Sequence, residues 1–130
     1  MVRTENEQKR ENLNPFEQVY EIVRMIPRGK VFTYGLISKR MNRRLSAAAV
    51  GWAMNALGSD GETGYTSKNV PWHRVINSKG TISTHHESAV LAKTGRPVKL
   101  QQILLEQEGI IFAEDGSVDL KHFLWREDVE

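Results

Sequence analysis

The chemistry open to this chain is limited first by a side chain it lacks. None of its 130 residues is cysteine, which removes thiolate nucleophiles, disulfides and cysteine-held metals together. Four histidines remain. Two of them, His85 and His86, stand beside Glu87. Adjacent ligands diverge along a chain and nothing nearby completes the set, so neither a metal site nor a cofactor is expected. Charge says more. No acid lies between Glu21 and Asp60, whereas Arg24, Arg28, Lys30, Lys39, Arg40, Arg43 and Arg44 all do, a local charge of +7 in a chain of net +2. From Glu106 onward, eight acids face only Lys121 and Arg126. A basic block of this kind suits a polyphosphate, because each cation near a phosphate releases condensed counterions; a solvated basic face accounts for it equally well.

These groups need elements to hold them. Residues 1–14 have too few apolar groups to offset the entropy of ordering and read as a flexible tail ahead of one domain over 15–130. The polar start argues against a secretory signal, and no run is long enough to span a membrane. Asn14 and Pro15 predict a helix start, with Phe16, Val19, Tyr20, Val23 and Ile26 along its inner face. Thr33 predicts a cap for a helix over about 34–41, with Ile37 and Met41 inward. After the polar break Asn42-Arg43-Arg44, Ser46 predicts a second cap, and Val50, Ala53, Met54 and Leu57 form the inward stripe. Ala48, Trp52 and Asn55 then face the other way, on a helix kept slim by Ala47, Ala48, Ala49 and Gly51. Helix, tight turn and helix inside a basic block is the pattern of a helix-turn-helix. Val75-Ile76 and Thr81-Ile82, flanking Asn77-Ser78-Lys79-Gly80, read as a hairpin or wing, and Val98, Leu100, Ile103 and Leu104 suggest a last substantial helix ended by Gly109. The fold class expected is α+β with a winged helix-turn-helix.

Pro71-Trp72-His73-Arg74-Val75 resembles the active-site motif Pro-Cys-His-Arg-Val of the O6-alkylguanine-DNA alkyltransferases. Around it stand Ile26-Pro27-Arg28-Gly29-Lys30-Val31, Thr33-Tyr34-Gly35, Val50-Gly51-Trp52-Ala53-Met54, Asn77-Ser78-Lys79-Gly80 and Leu105-Glu106-Gln107-Glu108-Gly109, in family order. The resemblance implies the C-terminal, winged helix-turn-helix domain of that family. Trp72 in the cysteine position is the mark of its non-catalytic, alkyltransferase-like branch. That branch binds O6-alkylguanine in duplex DNA, turns the base out of the helix and presents the complex to nucleotide excision repair.

By resemblance, Tyr34, Trp72, His73, Arg74, Val75, Ser88 and Glu108 belong to the lesion pocket, with His85 where the branch tends to carry an arginine. His73 and Glu108 match the pair that activates the family's cysteine; with no thiol to activate they are expected to brace the pocket. Dealkylation needs a soft, strong nucleophile, which an indole is not. Thr33, Tyr34, Arg43, Arg44, Ser46, Ala47, Ala48, Trp52 and Asn55 are the expected DNA contacts. Ala48 occupies the position of the family's arginine finger, so the wedge that fills the vacated stack falls to Trp52, or to Arg43 or Arg44. The expected partners are lesion-bearing duplex DNA and repair proteins, with no membrane, for a monomer in the nucleus of a eukaryote or otherwise the cytoplasm or nucleoid. Two other readings stand beside this one: a winged-helix DNA binder without lesion specificity, and a hydrolytic enzyme using His73 and Glu108.

Overall fold

The computed structural model describes residues 13–58, 64–82 and 100–126. Helix α1 (Pro15–Arg24) begins as its sequence predicts. Asn14 accepts from the Glu17 amide at 2.9 Å, and Glu17 accepts from the Asn14 amide in return. Its inner face carries Val19 and Val23, both wholly buried, and the Tyr20 hydroxyl donates to the Ala53 carbonyl at 2.6 Å. That bond ties α1 to a chain segment 33 residues further on.

Strand β1 (Phe32–Thr33) runs directly into α2 (Tyr34–Arg40), with the Thr33 hydroxyl accepting from the Leu36 amide. The turn to α3 (Ala47–Asn55) places two successive non-glycine residues at positive φ, Asn42 at 55° and Arg43 at 61°. Such geometry costs on the order of 1–3 kcal/mol per residue and needs support. The support comes from Ser38, whose carbonyl accepts from the Arg43 amide at 2.8 Å and whose hydroxyl donates to the Leu45 carbonyl at 2.6 Å. Ser46 then caps α3, and Val50, Ala53, Met54 and Leu57 are buried as their spacing predicts.

The strand pairing differs from the expected hairpin. Val75–Ile76 form β2, which pairs in parallel with β1 (Phe32 opposite Val75, Thr33 opposite Ile76), and residues 81–82 form no strand. The turn at 77–80 does exist. Asn77 accepts from the Lys79 and Thr81 amides through its side chain, and a fourth-residue glycine at φ 81° closes it. Alternate residues of the strand segments face opposite sides: Phe32 and Val75 join the helical core, while Val31 and Ile76 join a second cluster with Leu105, Ile110 and Val118. The ribbon is therefore buried on both faces.

Helix α4 (Leu100–Gln107) is present as expected, and its buried face is not the one that Leu100, Ile103 and Leu104 would mark. Gln101 and Leu105 are buried, whereas Ile103 is exposed and Leu100 and Leu104 are half-buried. The reason is polar: the Gln101 amide donates to the carbonyls of His73 and Val75, which fixes the helix face. A short helix α5 (Leu120–Phe123) follows, capped by Asp119. The segment after it rejoins β1, where the amide of Trp125 donates to the Val31 carbonyl and its ring packs edge-on against Phe32. Among the described residues no helix is long and apolar enough to cross a membrane.

Candidate functional site

Pro71 follows a hydrogen-bonded turn over residues 66–70, and residues Trp72–Arg74 form one 3-10 turn that feeds β2. This turn is held by a single carboxylate. Glu108, at the end of α4, accepts from His73 Nε2 at 2.6 Å, from Arg74 Nε and a terminal guanidinium nitrogen at 3.0 Å each, and from the Gly29 amide at 2.9 Å. Arg74 also donates to the Ile26 carbonyl at 2.8 Å. Gly29 sits at φ 83°, a conformation that glycine alone adopts without strain and that aims its amide at Glu108.

Burial by itself would raise the Glu108 pKa, but the hydrogen bonds from Arg74, His73 and Gly29 outweigh it and bring it down to about 2. Burial lowers the His73 pKa; Glu108 opposes that, and the Arg74 and Arg28 charges reinforce it. A neutral imidazole facing an ionised carboxylate must carry its proton on Nε2, leaving Nδ1 as an acceptor. The Trp72 ring stands edge-on to His73, 6.1 Å between centroids, and is half-buried against the helical core.

The structure thus gathers Trp72, His73, Arg74 and Glu108 into one assembly. Tyr34 opens α2 and packs partly buried against the same helical core as Trp72. Val75 does not line open space. It is 1% exposed, a core residue beneath the turn. Thr33 is likewise withdrawn, 4% exposed with its hydroxyl engaged as the α2 cap, so it supports the surface from below. Arg43, Arg44, Ser46, Ala47, Ala48, Trp52 and Asn55 are all exposed, and Trp52 stands out at 65%. His85 and Ser88 lie outside the described residues.

Three contributors were not singled out from the sequence. Gln101 signals itself only as a polar residue one turn before the buried Leu105, and Gly29 only as part of the motif over residues 26–31. Arg24 is a third: it bonds Glu21, Asn69 and the Gly64 carbonyl and lies 4.5 Å over the Tyr65 ring, joining α1 to the segment that leads into Pro71. A hollow of about 740 Å³ near Phe16, Tyr20, Leu57 and Tyr65 contains none of these site residues.

Residues 14–110 match the family described as 6-O-methylguanine DNA methyltransferase, DNA binding domain. The DNA base-flipping protein of Escherichia coli K12 is 35% identical over 120 residues, covering 92% of this chain and 81% of the relative. The chain belongs to the alkyltransferase-like branch of this family. Alkyltransferase-like protein 1 of Schizosaccharomyces pombe is 35% identical over 115 residues, covering 85% of this chain and 94% of the relative. The crystal structure of S. pombe Atl1 with damaged DNA containing O6-carboxymethylguanine superposes with a TM-score of 0.63 at 36% identity, over 85% of this chain and 94% of that one. In this alkyltransferase-like chain the helix-turn-helix and the Trp72 turn therefore have the α+β winged-helix setting that its sequence predicts.

Proposed function

We propose that this chain is a non-enzymatic sensor of O6-alkylguanine in duplex DNA. It lays the slim outer face of α3 against the duplex, turns the modified base out and holds it against Trp72. The observation that carries this reading is the closed assembly behind Trp72. His73 is committed to Glu108 and Glu108 also to Arg74, and the residue they would serve is an indole, with no cysteine anywhere in the chain. Dealkylation lacks its nucleophile, while a flat apolar ring suits retention of a base. The E. coli relative's name and the S. pombe complex with damaged DNA support the same reading.

Trp52 supplies the wedge. It is the large exposed side chain on α3, one turn beyond Ala48, and stacking of a base on an aromatic ring contributes ~1–3 kcal/mol. The held lesion then recruits nucleotide excision repair, acting wherever the cell keeps its DNA. The chain acts as a monomer.

The test is titration of the purified chain with matched duplexes carrying O6-methylguanine or guanine, followed by mass analysis of protein and DNA. Selective binding with both masses unchanged supports the sensor. A second reading, a winged-helix DNA binder without lesion specificity, draws on the methyl group of Ala48, which cannot fill a base-sized gap. Equal affinity for the two duplexes selects it, and loss of the alkyl group or base selects an enzyme.

A further inference from the structure

Beside the Glu108 assembly, and away from the exposed face of α3, the surface opens into a cleft of about 450 Å³ between the end of α1, the 67–71 segment and the end of α4. Four cationic side chains reach its wall: Arg24, Arg28, Lys68 and Arg74. Two of them are already neutralised. Arg24 pairs with Glu21, and Arg74 pairs with Glu108, the one carboxylate in the lining. Arg28 spends one nitrogen on the Gln107 carbonyl at 3.0 Å, and Lys68 has no side-chain partner among the described residues. No Phe, Tyr or Trp lines the cleft, and the one ring that does, the His73 imidazole, is engaged by Glu108.

The geometry points to this cleft as a phosphate-binding site in which the Arg28 guanidinium and the Lys68 ammonium clasp the anion and the Ser67 hydroxyl donates to it. A guanidinium with free N–H groups and an ammonium in one cleft are what a phosphate's several acceptor oxygens require. The phosphate belongs either to the backbone of a bound duplex or to a small free phosphate. Neither source depends on the lesion reading, since guanine and O6-alkylguanine strands carry the same backbone.

The experiment follows the His73 imidazole and Lys68 resonances of the full chain while inorganic phosphate or pyrophosphate replaces chloride at constant ionic strength. A saturable shift is expected, together with a rise in the His73 pKa. Arg28→Gln/Lys68→Gln should weaken it at least tenfold without lowering the melting temperature, since both side chains are exposed. A parallel arm measures undamaged-duplex affinity against salt. If the backbone is the source, the double variant's log–log slope becomes shallower by about one to two and pyrophosphate competes with duplex. If a free phosphate is the source, the slope is unchanged and duplex and pyrophosphate bind together. A shift that persists undiminished in the double variant overturns the site. So does the absence of any saturable shift combined with an unchanged slope.

Discussion

His73 Nε2 lies 2.6 Å from Oε2 of Glu108, a contact across 35 positions of sequence in which a neutral ring donates to an ionised carboxylate. The state of both partners makes the pocket's scaffold sensitive to acid.

That sensitivity has a sign. Glu108 is held below its ordinary pKa, to about 2, so its contribution is complete above pH 4.5 and is lost as pH falls through that window. The shift corresponds to about 3 kcal/mol at most for this nearly buried carboxylate. His73 is also lowered, so the fold favours its neutral form and loses stability as pH drops below 6.5. Urea unfolding between about pH 8 and about pH 3 should therefore weaken in two stages. Glu108→Gln should flatten the lower stage and His73→Gln the upper one; unaltered pH profiles in both would contradict the assignment.

Trp72→Ala should abolish preference for O6-methylguanine over guanine, a loss of roughly 1–3 kcal/mol of stacking, while binding to undamaged duplex changes little. Competition binding with the two duplexes reads this directly. Retained preference would remove the indole from the holding role.

Trp52→Ala should leave the melting temperature within about a degree, because most of the ring is in solvent. It should nevertheless diminish base extrusion, followed by the fluorescence of 2-aminopurine beside the lesion. If extrusion survives in Trp52→Ala and is lost in Arg43→Ala/Arg44→Ala, the wedge is an arginine of the α2–α3 turn.

Tyr20→Phe removes the buried donor to the Ala53 carbonyl and should cost about 1–3 kcal/mol by denaturant unfolding. Since that bond sets α3 against α1, DNA affinity should fall less than stability.

Gly80→Ala should be more damaging than its exposed turn sequence indicates. A Cβ there would stand 2.8 Å from the Val118 carbonyl, and φ is 81°. Thermal unfolding should register a loss of at least about 1–3 kcal/mol.

Much of the helical half was legible because its determinants are local. Asn14, Thr33 and Ser46 each cap a helix three residues away, and the buried stripe of α3 repeats at helical spacing. The parts that were not legible depend on distant partners. Val75 and Ile76 alternate into two clusters only because Phe32 and Thr33, far earlier in the chain, lie alongside them. The facing of α4 follows from two carbonyls near residue 74 that Gln101 satisfies, which no apolar periodicity reveals. Trp72, His73 and Glu108 were recognisable as a set by family motif, but the inward turn of Arg74 and the withdrawal of Thr33 and Val75 needed coordinates.

Because the Gly29 amide, the Arg74 guanidinium and the His73 ring all wait on residue 108, the ribosome must deliver the keystone after the stones it locks. A nascent chain therefore emerges with Gly29, His73 and Arg74 still unlocked, and the Trp72 turn is secured only once α4 has been made.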